Sequence, residues 1–263
     1  MDQSPTRSRR VRRSKVELRE LVLGSGIEVL HAEGLGTGVE NLTFKKVLDH
    51  LQESSGIRIT PASLIRRVWQ DQKDFQFDVV RTIITEQGEG EIGEVSDSLS
   101  ETFARLDLSS PKMRRASLDE LIRVASKDYL STTISPLSTI QTALASYALA
   151  GGDAGVNQEF LGLFSEATAL LTRQYVEIYE LALEAVGFRI RPGLRIEQMA
   201  VAILSFGEGS LLRRSTAPEA FAPMFLPREI DGASVEWDLF GFGVKAIVEA
   251  FTEEDPDWAG HSD

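Results

Sequence analysis

The sequence predicts an all-α protein. Apolar residues recur at spacings of three and four through most of its 263 residues, and no stretch alternates apolar and polar side chains as a half-buried strand does. The length fits one large or two smaller domains, and 42% hydrophobic with 26% charged residues is enough apolar material for a buried core.

The first helix is expected over residues 14–33, where Leu18, Leu21, Val22, Ser25, Val29 and Ala32 share a face and Gly34 is a natural stop. After the glycine-rich loop LGTGVEN, a second starts at Thr43 and presents Phe44, Val47, Leu48 and Leu51 before breaking at SSGIRI. The third is ITPASLIRRVW, residues 59–69, in which Thr60 can cap, Pro61 suits the first helical position and Ala62 to Ile65 contain no breaker. A fourth covers 72–86, with Phe75, Val79, Val80 and Ile83 inside. Further helices at 95–107, 112–131, 136–150, 156–187, 194–214 and 235–253 bring the expected number to ten. Residues 88–98 (GEGEIGEVSDS) and 150–155 (AGGDAG) read as connections, and 215–234, with three prolines, as a long loop.

Charge is divided unevenly along a chain of net −12. Residues 1–81 carry 14 Lys and Arg against 11 Asp and Glu, and residues 82–263 carry 14 against 29. The basic end is densest at RSRRVRRSK, where Arg7, Arg9, Arg10, Arg12 and Arg13 stand in a segment too poor in apolar residues to fold alone, so 1–13 reads as a flexible basic tail. In the third helix, at about 100° per residue, Leu64 and Val68 face the second helix while Ala62, Ser63 and Arg66 face away and Arg67 lies at an edge. A small helix start followed by a cation one turn later suits a helix-turn-helix reader of duplex DNA.

Residues 14–90 resemble the DNA-binding domain of TetR-family transcriptional regulators. VLGSGIEVLHAEG stands where that family has the end of its first helix, LTFKKVLDHL is similar to its second, ITPASLIRRV to its recognition helix and QDQKDF to the Lys-bearing link that follows. The chain departs from the pattern in having Ile65 for the usual aromatic, Val68 followed by an extra Trp69, and a turn lengthened by SSGIR. The resemblance and the residues together give the expected roles. Thr60, Pro61, Ala62, Ser63, Arg66 and Arg67 enter or rim the major groove, Thr43, Lys45, Lys46 and Lys73 hold phosphates, and the arginines of the tail follow the backbone or the minor groove.

Residues 91–263 are then a helical dimerisation and effector-binding domain. LSFGEGSLLRR and DLFGFGVKAIVEAF each carry two glycines among large apolar residues, which suggests backbones that pass closely. In the resemblance these helices pair with their copies in a homodimer, through Leu204, Gly207, Leu211, Leu239, Gly243 and Ile247; the alternative is a tight crossing within one chain. Tyr147, Phe160, Phe164 and Tyr175 are candidate walls for a small-molecule effector, or plain core.

Catalysis has no support in the sequence. There is no Cys, the three His at 31, 50 and 261 are scattered, and neither a G-x-S-x-G elbow nor a phosphate-binding P-loop occurs. No cofactor or metal is implied, no apolar run is long enough to span a membrane, and a cytoplasmic location is expected. The functional expectation is a homodimeric, sequence-specific DNA-binding regulator, a repressor released by an effector. The alternative is a fold of this kind that has lost specific operator binding and acts as a protein-interaction partner.

Overall fold

The computed structural model describes residues 13–34, 39–133, 136–150, 154–228 and 230–259, with backbone alone at 40, 86–98, 100, 132–133, 136–139, 147–148, 150 and 154–157. The described residues are mostly helical: nine α-helices, two short 3-10 turns and four short strands. The chain divides into two compact units, Met1–Ile83 and Ile84–Asp263.

In the first unit, α1 (Lys15–Glu33) opens on a capping box. The Ser14 hydroxyl accepts from the Glu17 amide, the Glu17 carboxylate accepts from the Ser14 amide, and Gly34 ends the helix at positive φ. Its inner face is Leu18, Val22, Leu23, Ser25, Gly26, Val29 and Leu30; Ala32, expected there, is exposed. Gly26 is needed for contact, since a Cβ would lie 3.2 Å from Val79 and 3.3 Å from Phe75. Helix α2 (Phe44–Ser55) is capped by the Thr43 hydroxyl, which accepts from the Lys46 amide, and stops at Gly56 in the left-handed region. It packs on α1, and the buried Ser25 hydroxyl donates to the Val47 carbonyl at 3.1 Å.

Helix α3 is shorter than the sequence suggests: Pro61–Ile65, five residues. The Leu64 carbonyl then accepts from the amides of Arg67 (3.0 Å), Val68 (2.8 Å) and Trp69 (3.3 Å), so the chain tightens into a turn. The cause is tertiary. Trp69, not Val68, is the buried residue here, and its indole packs edge-on to Phe75 at 4.9 Å and near Phe44 at 6.1 Å. A straight helix through residue 69 would not deliver that ring to the core. Thr60 makes no side-chain cap; the Ser63 hydroxyl donates instead to the Thr60 carbonyl.

Helix α4 (Gln72–Phe103) runs without a break through residues 88–98, which the sequence presents as a connection. Its three glycines there each cost about 1 kcal/mol relative to Ala, a penalty that weakens a helix without breaking it, and the residues between them, Glu86, Gln87, Glu89, Glu91 and Glu94, are good helix formers. Two expected helices therefore merge into one.

The second unit contains α5 (Pro111–Thr133), α6 (Pro136–Ala150), α7 (Ala154–Val186), α8 (Ile196–Thr216) and α9 (Leu239–Phe251). Its core gathers Leu118, Leu121 and Ile122 of α5, Leu183 and Val186 of α7, Met199 and Ile203 of α8, and Phe240, Val244 and Val248 of α9. Strand β1 (Phe188–Ile190) pairs antiparallel with β4 (Thr252–Glu254), with Arg189 opposite Glu253. The expected loop at 215–234 has structure. Pro218 opens a 3-10 turn (Pro218–Phe221), and β2 (Met224–Pro227) pairs antiparallel with β3 (Ser234–Trp237). In the hairpin turn the Arg228 guanidinium and the Ala233 amide hold the Asp231 carboxyl at about 2.

The close approaches that the glycines of α8 and α9 imply occur inside the chain. A Cβ on Gly207 would lie 2.8 Å from the Tyr129 hydroxyl, one on Gly241 would lie 3.1 Å from Ser126, and one on Gly243 would enter the Phe206 ring. Gly209 faces open space. Gly243→Ala is therefore expected to lower stability by about 1–3 kcal/mol through overpacking. Gly209→Ala is expected to leave it unchanged or raise it by up to about 1 kcal/mol through helix propensity. Urea unfolding followed by circular dichroism compares the two.

Candidate functional site

A partly buried polar junction ties the turn after α3 to its neighbours in the first unit. Arg19 on α1 grips Asp78 on α4 with two hydrogen bonds, Nε to Oδ2 at 2.7 Å and Nη2 to Oδ1 at 2.6 Å, while the Trp69 Nε1–H donates to the same Oδ2 at 2.9 Å. Burial alone would raise the Asp78 carboxyl. The hydrogen bonds from Arg19 and Trp69, with the charges of Arg19 and Arg81, more than offset this and hold it below the usual carboxylate range. The turn after α3 is thereby fixed to α1 and α4.

From that turn, Leu64 points inward, fully buried, against the side of the unit where α2 packs. Thr60, Pro61, Ala62, Arg66 and Arg67 are exposed and Ser63 is half-buried, so the expected small-then-cationic order survives although Arg66 caps α3 and Arg67 lies beyond it. The Arg67 Nη2 donates to the Arg13 carbonyl at 2.8 Å. Among the described residues no carboxylate pairs with Arg66, Arg58 or Lys73. The lysines of α2 differ: Lys45 pairs with Asp49 at 2.8 Å, and Lys46 with Glu33 at 2.7 Å. Arg7, Arg9, Arg10 and Arg12 lie outside the described residues.

In the second unit, an apolar cavity of about 90 Å³ opens between α5, α7, α8 and α9. Leu121, Ile122, Ile203 and Val244 contribute apolar wall, and Tyr129, Tyr175, Tyr179 and Ser126 bring hydroxyl-bearing side chains to it. No charged side chain lines it among the described residues. Burial, reinforced by Tyr175 and Tyr129, pushes the Tyr179 hydroxyl well above its ordinary value, so it stays a neutral donor. Of the residues proposed from sequence as pocket walls only Tyr175 lines this cavity. Phe160 is buried elsewhere, Phe164 is half-buried off the cavity, and the side chain of Tyr147 lies outside the described residues. Tyr129 and Tyr179 also reach the cavity, a convergence of several helix faces that periodicity along one helix does not show.

Leu204 and Gly207 are buried in the protomer, and Leu211, Leu239, Gly243 and Ile247 are half-buried. The outward face of α8 is offset from them: Val201, Ser205, Glu208 and Leu212 fall within about 60° of one another around the helix. Val201, Leu212 and, on the adjoining α9, Phe242 are exposed apolar side chains, at 49%, 54% and 41%. Glu208 is exposed, and partial desolvation among its neighbours raises its carboxyl above the usual value.

Among the described residues no group of three or more acidic or histidine side chains could hold a metal ion, and no helix is long and apolar enough to cross a membrane. Comparison with protein-family models, with curated proteins and with solved structures gave no match.

A lowered folded-state pKa means that Asp78 stabilises the first unit above the unfolded carboxylate value and that this contribution is lost as pH falls through the folded value. Asp78→Asn is expected to destabilise the unit by about 1–3 kcal/mol near neutral pH. The difference from the parent chain is expected to shrink below about pH 4. Amide hydrogen exchange at Val22 and Val47, measured from pH 7 to pH 3, reads both effects.

Proposed function

We propose that the chain is a homodimeric DNA-binding regulator of the TetR kind, whose first unit reads duplex DNA with the surface around α3. The observation that carries this reading is the exposed run Ala62, Ser63, Arg66, with Arg66 free of any carboxylate among the described residues, presented by a turn that the Trp69–Asp78–Arg19 junction holds in place. In a chain of net −12, an unneutralised arginine on a fixed scaffold, in a sequence that opens with an arginine-rich segment, suits a polyanion. Thr60, Pro61, Ala62 and Ser63 allow close approach to base edges, and Arg66 supplies the guanidinium that pairs with a guanine edge or a phosphate. Lys73 and Thr43 serve phosphates. Lys45 and Lys46 gain less there, because each exchanges an existing carboxylate partner.

The homodimer rests on the exposed apolar side chains of α8 and α9, Val201, Leu212 and Phe242, rather than on Gly207, Gly241 and Gly243, whose close contacts are internal. Two reading surfaces related by a two-fold axis would then meet a symmetric site. The effector of this reading occupies the tyrosine-bearing cavity. A neutral, mainly apolar ring compound fits its chemistry, since a charged group would find no counter-charge there. At about 90 Å³ the cavity is smaller than the ~150 Å³ that admits benzene without rearrangement, so binding displaces lining side chains and can favour one conformation over another.

A second reading is favoured by the brevity of α3, which at five residues offers a short probe for a groove. In it the fold no longer selects an operator, and its exposed surface meets a protein partner.

The first reading expects Arg66→Ala to relax base preference at defined positions at a cost of about 1–3 kcal/mol. Removal of residues 1–12 is expected to weaken binding to every duplex and to lessen the salt dependence. Fluorescence anisotropy on a selected site and on scrambled duplexes, across a salt series, separates these effects; a chain that treats all duplexes alike supports the second reading. Phenol is expected to raise the melting temperature of the full chain, and benzoate at equal concentration to leave it unchanged, in a thermal-shift titration.

A further inference from the structure

We propose that the strap formed by residues 252–258 is a clip that ties α5 to α7 and governs ligand entry to the tyrosine-bearing cavity; this rests on the reading above that the cavity takes a neutral ring compound. The strap reaches its place along β1. Strand β4 pairs with β1, the Arg189 guanidinium donates to the Glu253 carboxylate at 2.8 Å, and the Asp255 amide donates to the Gly187 carbonyl at 3.0 Å. A turn closed on Asp255, which accepts from the amides of Asp257 and Trp258, then brings the Trp258 indole back over the end of α7.

There the ring meets both helices. Its Nε1–H donates to the Glu184 carbonyl in the last turn of α7 at 3.0 Å, and the Arg114 guanidinium in the first turn of α5 lies over the ring, 4.7 Å from its centroid. The approach depends on Gly187. At φ +72° a side chain is strained, and a Cβ there would lie 2.7 Å from the indole and 3.1 Å from the Arg114 Nε. The clip adjoins the cavity: Leu118, one turn on from Arg114, and Leu183, next to Glu184, both line it. A cavity of about 90 Å³ admits a ring compound only if its walls part, and the clip joins two of those walls at one end.

The closed clip also carries an internal penalty. The Arg114 Nε is buried with no hydrogen-bond partner, and the Arg114 Nη2 stands 3.8 Å from the Glu254 carboxylate, too far for a hydrogen bond. Trp258 itself is only half-buried. Release of the indole hydrates the guanidinium and leaves β1 paired with β4, so the clip can open without unfolding the unit.

The test is a phenol titration of the full-length chain by isothermal calorimetry, with circular dichroism and melting temperatures to check that each variant is folded. Trp258→Ala removes the ring, Gly187→Ala displaces it, and Trp258→Phe keeps a ring without the N–H. Arg228→Ala breaks the pair with Asp231 in the hairpin turn, does not touch the cavity lining, and controls for lost stability. With the clip closed in most parent molecules, its release raises the binding-competent fraction and tightens binding by the same factor. The proposal expects the phenol Kd to fall by about threefold or more in Trp258→Ala and Gly187→Ala, by less in Trp258→Phe, and to stay unchanged in Arg228→Ala. A merely structural strap gives a lower melting temperature with equal or weaker phenol binding in the clip variants; that result overturns the proposal, while binding by the parent upholds the cavity reading. An equal gain in Arg228→Ala also overturns it, because general loosening would then suffice. Phenol bound by none of the chains overturns the cavity reading and the proposal together.

Discussion

Burial of one indole sets the geometry of the first unit. Trp69 packs against Phe75 and Phe44, and its single N–H is satisfied by the Asp78 carboxylate on α4. Asp78 in turn is a carboxylate that burial disfavours, and it stays ionised because Arg19 meets both its oxygens. Each member thus makes the next affordable to bury. The consequence reaches the surface: α3 ends after five residues, the chain turns about the Leu64 carbonyl, and Arg66 and Arg67 emerge from a turn with little freedom.

The same economy of contacts separates the two arginines. A side-chain cation beside a carboxylate is partly neutralised, as with Lys45 and Lys46 on α2, and contributes little field to solvent. One bonded to a backbone carbonyl, or to nothing, keeps its field. Arg66 and Arg67 therefore keep their charge at the α3 turn, although the formal balance is only +3 through residue 81 and the rest of the chain is strongly acidic. In the second unit the opposite holds, since the tyrosine-bearing cavity excludes charge altogether.

Most of the helical architecture was legible because amphipathic periodicity and caps are local signals. Ser14, Thr43, Gly34 and the break at SSGIRI marked helix ends where the structure has them. What failed was whatever depends on partners distant in sequence. Nothing local in RRVWQ says that Trp69 will be drawn inward and end α3 early, and the glycines of 88–98 looked like breakers although the neighbouring glutamates sustain α4. The hairpin at 224–237 hid behind its prolines, because strand pairing is visible only once both strands are placed. The candidate site divided in the same way. Exposure of Thr60, Pro61, Ala62, Arg66 and Arg67 followed from the inward Leu64, whereas the link from Arg67 to Arg13 and the convergence of Tyr129, Tyr175 and Tyr179 required the fold.

The central claim is that the α3 surface selects a DNA sequence, and it is tested most directly by retaining fragments of sheared genomic DNA on the immobilised full-length chain at physiological salt and sequencing them. The account predicts enrichment of a shared, two-fold symmetric site whose half-sites lie about one helical turn, or a small multiple of it, apart. Retention without a shared sequence, vanishing as salt rises, would contradict it, because that is the behaviour of a polycation meeting phosphate with no reader behind it.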